Sequence, residues 1–281
     1  MFKRLTQGCR LLTSYSCYYF SKLVFQNPIR VYYWKDHPNF GDLITPALLR
    51  HYGFKPVHFY PHRAQLVSTG SLIEHIPNHY SGVILGTGAI DEKTTVRFPF
   101  AKVVGLRGTF TKERLAVIGD IALGDPGLLA HRLLKKRSAK KYKLGLIPHY
   151  SDAGNPVLEQ IRNHYPEKVV IINVEDEPLA VLLKMDECEH ILSSSMHGLI
   201  CSDALGIPNK WVQLSSLLGG NFKFRDYYSV FNLVPYPVKL SGMESLEELI
   251  RLTSMIDQAK LVETQNKLEG EFKSLTKYIY G

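Results

Sequence analysis

Short apolar runs recur along the first half of this chain, and each is followed by a glycine or polar turn and then a helical pattern. The runs lie at 29–34, 66–68, 82–85 and 103–106. Apolar runs of this length, separated by helices, are typical of the buried strands of a parallel sheet. The pattern therefore predicts an α/β lobe in which helices pack on a parallel sheet.

The same alternation begins again after a strongly basic stretch. Residues 135–143 contain six lysines and arginines and no acidic residue, which is typical of an exposed linker. Apolar runs then return at 143–147, 169–174, 190–192 and 210–214. We therefore predict an α/β protein of two Rossmann-like lobes facing a cleft. The carboxyl ends of the strands should line that cleft, where ligands bind in such folds.

These patterns divide the chain into five segments. We expect a basic amphipathic segment at 1–28, a first lobe at 29–134, the linker at 135–143, a second lobe at 144–240 and a helical region at 241–281. The helical region opens with a capping pair, which is either Ser241/Glu244 or Ser245/Glu248.

The net charge of +8 is concentrated in the first half of the chain. Residues 1–150 hold 22 Lys and Arg against 8 Asp and Glu, whereas residues 151–281 hold 12 against 18. A basic first half predicts an anionic partner, which could be a phosphorylated substrate, a membrane surface or nucleic acid. Nucleic acid is the least favoured, because the sequence has no RNP, KH, zinc-finger or helix-turn-helix signature.

The first acidic residue is Asp36, so the segment 1–28 is basic and free of acids. Such a segment either lies on an anionic membrane surface or forms an ordinary first helix or tail, and both interpretations stay open. No apolar run approaches the ~18 residues of a membrane span, and no clear secretory signal is present. Four scattered cysteines without a CxxC pair indicate a reducing compartment. We expect a cytoplasmic protein, and we predict no metal site because HExxH and HxH are absent.

The main candidate for chemistry is His197, which follows a serine run at the junction of a predicted strand and helix. The N–H groups at the start of a helix attract anions, and Ser194, Ser195 and Gly198 let a phosphate or carboxylate approach closely. An imidazole titrates at about pH 6.5 and can give or take a proton near neutrality. The pattern fits equally well a half-buried histidine that caps its own helix.

Four further residues follow predicted strands or turns. Arg107 offers a fixed fork for a carboxylate or phosphate, or it forms a surface salt bridge. Asp42 caps its helix or accepts hydrogen bonds from sugar hydroxyls. His149 ends a strand of the second lobe, and Lys223 lies on a segment that could close over an anion or form a basic surface turn. The glycine patterns of dinucleotide and P-loop sites are absent.

Seven motifs occur in an order that resembles the polysaccharide pyruvyl transferase family, in particular its short bacterial exopolysaccharide ketal-pyruvate transferases. The resemblance spans about residues 30–230. The motifs are Asn39–Asp42, Gly86–Gly88, Leu106–Gly108 with Thr111 and Arg114-Leu115, Gly124–Pro126, Pro148–Tyr150, Ser193–Gly198 with Asp203-Ala204 and Gly206–Pro208, and Phe222–Phe224 with Asp226-Tyr227.

The resemblance implies a fold like the two-lobed GT-B glycosyltransferases. It implies that phosphoenolpyruvate is a co-substrate, with no further cofactor, and that the acceptor is a hydroxyl pair of a sugar in a polysaccharide or its lipid-linked precursor. The products are a pyruvate ketal and phosphate. The scattered cysteines and the basic first segment lead us to expect a cytoplasmic enzyme, with peripheral contact to the anionic inner face of the plasma membrane as one arrangement.

The resemblance also suggests roles for individual residues. His197 is expected to be the general acid. Many relatives have Arg-Leu-His where this chain has Ser195-Met196-His197. The positive charge beside phosphoenolpyruvate, the pyruvate donor, must therefore come from another residue of this chain. The donor is expected to contact Arg107, His149, Ser194, Ser195, Gly198 and Lys223, and the acceptor to contact Asn39, Asp42 and Thr87.

Two other functions remain as alternatives. One is a GT-B glycosyltransferase that uses a sugar nucleotide, for which residues 175–177 could supply carboxylates. The other is a non-catalytic protein that binds anions or a membrane through its basic first half.

Overall fold

A computed structural model describes residues 13–19, 27–215 and 220–281 of the chain. Ten strands form two sheets in this part of the chain, and every strand pair is parallel. The first sheet has the order β2-β1-β3-β4-β5-β6. Its strands are β1 (Pro28–Tyr32), β2 (Lys55–His58), β3 (Leu66–Val67), β4 (Val83–Leu85), β5 (Lys102–Leu106) and β6 (Ala122–Leu123).

The second sheet has the order β10-β9-β7-β8. It consists of β7 (Tyr142–Ile147), β8 (Val169–Ile171), β9 (Cys188–Ser193) and β10 (Asn209–Trp211). Most positions of the central strands are apolar, and β4 is buried along its whole length, as expected where helices cover both faces of a parallel sheet. The α/β class with parallel sheets, which the apolar runs predict, is confirmed.

Nine α-helices are present in the described residues, together with short 3-10 helices. The α-helices are α1 (13–19), α2 (Phe40–His51), α3 (Thr109–Arg114), α4 (Pro156–His164), α5 (Pro178–Asp186), α6 (Met196–Ala204), α7 (Phe222–Ser229), α8 (Leu246–Arg251) and α9 (Gln258–Tyr280). The expected capping pair Ser245/Glu248 begins α8 with both reciprocal hydrogen bonds. Of the predicted segment 1–28, only residues 13–19 and 27–28 are described, and the rest lies outside the described residues.

One hydrophobic core joins the two sheets. Its buried residues include Val31 of the first sheet and Ile147 of the second, with Ile44 of α2 and Leu199 of α6 between them. The last helix, α9, returns to the first sheet and contacts β4, β5 and β6. The two sheets therefore hold the first turns of α2 and α6 side by side.

The basic segment between the sheets forms neither helix nor strand up to Lys141. Arg137 donates to the buried carboxylate of Asp186 at 2.7 Å, and Lys140 donates to the Asp186 carbonyl at 2.9 Å. Arg137 and Lys140 therefore fasten this segment to the end of α5, where Lys141 also pairs with Glu187. Lys143 pairs with Glu189 of β9.

Candidate active site

A cleft of about 420 Å³ lies at the carboxyl ends of both sheets. Its walls come from the segments after β1, β3, β7 and β9 and from α7. Six of the predicted site residues line it: Asn39, Asp42, His149, Ser195, His197 and Lys223. A larger hollow of about 690 Å³ lies beside α1 and β2, but none of the predicted site residues lines it.

His197 is the second residue of α6 and is buried, with 6% of its surface exposed. Ser193 fixes the turn before it, because its hydroxyl donates to the Ile147 carbonyl and accepts from the Ser195 N–H at 3.0 Å. Ser195 is the N-cap residue of α6. His197 is therefore not the helix cap, and its ring is held in the wall of the cleft.

Gly41 determines how closely α2 approaches this ring. A Cβ atom at Gly41 would lie 2.0 Å from Nδ1 of His197 and 2.4 Å from its Cγ. The side chain of Asn39 accepts the Gly41 N–H at 3.1 Å and caps α2. The interpretation of Asp42 as the helix cap is therefore wrong, because Asn39 occupies that position and Asp42 lines the cleft.

Asp42 and Lys223 place opposite charges in the same partly enclosed space. Burial raises the pKa of Asp42 to about 6, although the charge of His197 opposes the shift. Burial, together with the charge of the nearby Arg107, lowers the pKa of Lys223 to about 8, although the charge of Asp42 acts in the opposite direction. At neutral pH the cleft therefore holds a carboxylate and an ammonium that are both poorly solvated.

Replacing Asp42 with asparagine is expected to stabilise the free protein at neutral pH. The folded-state pKa of about 6 lies above the ordinary value of 3.8, so stability is lost as the pH rises through that window. The ionised carboxyl costs at most about 3 kcal/mol above pH 6. Thermal unfolding at about pH 7.5 should show a higher Tm for the variant, and the gain should vanish at about pH 4. An equal gain at both pH values would contradict this explanation.

Arg107 does not line the cleft. It is fully buried, and its guanidinium donates to Asp226 at 2.8 Å, to Ser71 at 2.6 Å and to the Ala89 carbonyl at 2.6 Å. The predicted surface salt bridge is wrong, since the pair with Asp226 is completely buried. Arg107 instead ties the first sheet to α7, the helix that carries Lys223.

Asp226 reinforces this tie from the α7 side. It accepts the Thr111 hydroxyl at 2.6 Å and the Thr111 N–H at 2.7 Å, so it satisfies a donor at the start of α3. Gly88 and Gly108 allow the close packing, because a Cβ atom at either would overlap the Arg107 guanidinium or the Asp226 backbone. A buried ion pair whose two side chains make several further hydrogen bonds fixes the position of α7.

His149 and Ser194 are linked to each other behind the cleft. Ser194 accepts the His149 N–H at 2.9 Å and donates to the buried carboxylate of Asp152 at 2.6 Å. Burial lowers the pKa of His149 to about 4, and Lys223 contributes to the shift. His149 therefore enters the cleft as a neutral imidazole, whereas Ser194 supports the wall from behind.

Thr87 and Gly198 also lie outside the cleft lining. The buried Thr87 hydroxyl donates to the Gly70 carbonyl and accepts the Leu72 N–H, and so it holds the segment 70–72 that does line the cleft. A Cβ atom at Gly198 would lie 2.2 Å from the Ser193 hydroxyl. Both residues are thus placed to shape the site.

Asp125 is a buried carboxylate to which the sequence pattern assigns no role of its own. Its Oδ2 lies 3.7 Å from Nε2 of His197. The signal available in the sequence was the motif Gly124–Pro126, which follows a strand of the first lobe. Residues 175–177, the carboxylates considered for a sugar nucleotide, do not line the cleft, and Glu175 pairs with His37 at 2.6 Å.

Metal-ligating side chains do not gather at this site. In the part of the chain that the structure describes, no group of three or more His, Cys, Asp or Glu residues could hold a metal ion. The described helices also include none that is long and apolar enough to cross a membrane.

The cleft thus brings together Asp42, His149, His197 and Lys223 on a two-sheet α/β scaffold. The family model for polysaccharide pyruvyl transferases matches residues 39–212, which hold every candidate site residue except Lys223. The chain belongs to the polysaccharide pyruvyl transferase family, as the order of its motifs predicts.

Two curated relatives are similar to this chain. The succinoglycan biosynthesis protein ExoV of Rhizobium meliloti is 25% identical over 237 residues, which cover 79% of this chain and 71% of ExoV. An uncharacterized protein of Acanthamoeba polyphaga mimivirus is 34% identical over 160 residues, which cover 54% of this chain. The match spans only 55% of the length of the mimivirus protein.

Proposed function

We propose that the chain transfers pyruvate from phosphoenolpyruvate to a hydroxyl pair of a sugar in a polysaccharide or its lipid-linked precursor. The products are a cyclic pyruvate ketal and phosphate. The observation that carries the proposal is the placement of His197 and Lys223 in one cleft. Membership of the polysaccharide pyruvyl transferase family supports the same reaction.

His197 is the proposed general acid. Its imidazolium gives a proton to the methylene carbon of phosphoenolpyruvate, which leaves a cationic centre at the adjoining carbon. One sugar hydroxyl adds to that carbon and returns a proton to the imidazole. Phosphate then leaves with the bonding electrons, and the second hydroxyl adds to the same carbon and gives its proton to the departing phosphate, which closes the ring. A positioned acid of this kind is worth about 10²–10⁴-fold in rate.

The Lys223 ammonium is the proposed positive charge that binds phosphoenolpyruvate. It lines the cleft, whereas Arg107 does not, and each of the three guanidinium nitrogens of Arg107 already donates a hydrogen bond within the protein. The first turn of α6, with Ser195 at its start, offers N–H groups that attract an anion. In this proposal Lys223 takes the part of the arginine that many relatives carry beside the histidine, and Arg107 acts by holding α7.

Asp42 and Asn39 are the proposed acceptor contacts. Both line the cleft on the side of α2. With a pKa of about 6, the Asp42 carboxyl is mostly ionised at neutral pH and can accept a hydrogen bond from a sugar hydroxyl. His149 is neutral there and is the proposed polar contact on the second-sheet side.

Replacing Lys223 with methionine is expected to raise KM for phosphoenolpyruvate about 10–100-fold, because a charge-assisted hydrogen bond to a buried anion is lost. Since burial lowers the pKa of Lys223 to about 8, the wild-type ammonium is present below that pH and is lost above it. Wild-type KM should therefore rise above about pH 8, and the variant should not show this rise.

Lys210→Met is the matched control, because Lys210 lies over the Tyr236 ring outside the cleft. Steady-state assays of phosphate release should give the control the wild-type KM at every pH. An unchanged KM for phosphoenolpyruvate in Lys223→Met would show that Lys223 does not bind this substrate.

A GT-B-like arrangement is the finer fold that we propose, and two parallel sheets with a cleft at their carboxyl ends support it. Incubating the protein with phosphoenolpyruvate or with sugar nucleotides, each with saccharide acceptors, separates the proposed reaction from glycosyl transfer. We expect acceptor-dependent phosphate release from phosphoenolpyruvate. Nucleotide release, or no turnover with salt-sensitive binding to anionic vesicles, would contradict the proposal.

A further inference from the structure

Asp125 faces His197, the proposed general acid, and does not line the cleft. The residue follows β6 and caps the 3-10 helix Pro126–Leu133, and it is fully buried. Its Oδ1 accepts the Gly127 N–H at 2.8 Å. Its Oδ2 lies 3.7 Å from Nε2 of His197, and both of these buried atoms are without a hydrogen-bond partner in the described structure.

We propose that Asp125 is a positioning residue for His197: its carboxylate keeps a proton on Nε2 and stabilises the imidazolium that donates a proton from Nδ1. The inference rests on the proposed function for the role of His197 as the acid. Beyond that function, the inference assigns the proton transfer to Nδ1 of His197 and assigns the choice of this nitrogen to Asp125.

The first argument concerns hydrogen-bond partners. A carboxylate can only accept, so Nε2 of His197 must carry hydrogen for the facing pair to be satisfied. Two buried polar atoms that face one another without another partner are costly unless they pair. The separation of 3.7 Å exceeds a hydrogen bond, but hydrogen bonds between catalytic groups are often long without substrate and shorten in the complex.

The second argument concerns the other ring nitrogen. Nδ1 of His197 packs against the backbone of Gly41, where the absence of a side chain makes room for the ring. Unlike Nε2, Nδ1 is not one of the fully buried side-chain atoms that lack a hydrogen-bond partner. Asp42 also acts on His197 through its charge, but it lines the cleft, where substrate must lie. Asp125 is therefore placed at Nε2 and leaves Nδ1 for chemistry.

The direct test is nitrogen-15 NMR of the His197 side chain in the substrate-free wild-type protein. We expect the neutral imidazole to carry its proton on Nε2. In Asp125→Asn the share of this tautomer should fall. The variant's kcat for phosphate release should drop about 100-fold, with KM for phosphoenolpyruvate little changed, because the acid is misplaced while donor binding remains.

Asp186→Asn is the matched control, because Asp186 is also fully buried and accepts hydrogen bonds from Arg137 and Ser138 away from the cleft. It should leave the His197 tautomer and kcat unchanged. A wild-type proton on Nδ1, or a wild-type tautomer and kcat in Asp125→Asn, would overturn the proposal.

The wild-type NMR measurement needs neither a variant that folds nor any turnover. If the Nε2 proton is present and depends on Asp125 while no pyruvate ketal forms, the pairing of Asp125 with His197 stands and the proposed function falls. If the ketal forms while the tautomer is independent of Asp125, the proposed function stands and this inference falls.

Discussion

Replacing His197 with glutamine is expected to lower kcat for pyruvyl transfer about 10²–10⁴-fold, because the proton donor to the methylene carbon is lost. Glutamine keeps a polar group of similar size but cannot deliver a proton at neutral pH. KM for phosphoenolpyruvate should change far less than kcat, since Lys223 and the first turn of α6 remain. Steady-state phosphate release at several donor concentrations measures both constants.

Thermal unfolding must accompany these kinetics, since His197 is buried and packs near Phe40. A folded His197→Gln variant with turnover near that of the wild type would exclude His197 as the acid. A variant with normal kcat and a large rise in KM would show that His197 binds phosphoenolpyruvate and does not protonate it.

Replacing Gly41 with alanine is expected to lower kcat by about 100-fold, although it removes no polar group. The added methyl would lie 2.0 Å from Nδ1 of His197, so the ring must move. A displacement of about 1 Å of a catalytic group can cost about 10²-fold in rate. α2 itself should tolerate the change, since alanine favours helix more than glycine does.

Gly270→Ala is the matched control in α9, where a Cβ atom would meet nothing within 4 Å. The control should keep wild-type kcat and gain a little thermal stability. Comparison of kcat and Tm for the two variants separates ring displacement from a general effect of the methyl group. Wild-type activity in Gly41→Ala would show that the His197 position observed here is not the reactive one.

The parallel-sheet architecture was predictable because buried strands leave a strong local signal. Apolar runs such as 82–85 and 103–106 correspond to β4 and β5, and each is followed by a turn at the carboxyl end of its strand. His197 and Asp42 could be placed at the cleft because segments that follow parallel strands face a common edge of the sheet. Their shared position is a consequence of the topology. Lys223 lies on α7, which does not directly follow a strand, and its basic segment was the sign available in the sequence.

The role of Arg107 could not be predicted from its neighbours in sequence. Its partner Asp226 lies 119 residues away along the chain. Local sequence therefore shows an arginine at the end of a strand but gives no sign that its guanidinium is already occupied. The same holds for Asp125, whose motif resembles a turn and whose approach to His197 depends on the packing of both sheets.

The helix cap of α2 shows a more local difficulty. Asn39 and Asp42 are both residue types that cap helices, and they are only three positions apart. The choice depends on where the helical backbone begins, and Asn39 lies in an extended conformation just before that point. Once Asn39 takes the cap, the carboxylate of Asp42 is left on the cleft wall.

The central claim is that pyruvate from phosphoenolpyruvate becomes a ketal on a sugar acceptor. The most direct measurement incubates the protein with phosphoenolpyruvate and a panel of lipid-linked oligosaccharides and examines the acceptors by mass spectrometry. We predict an acceptor that gains one carboxyethylidene group while one phosphate is released, and no such product with His197→Gln. Phosphate release without a modified acceptor, or modification that does not require phosphoenolpyruvate, would contradict the claim.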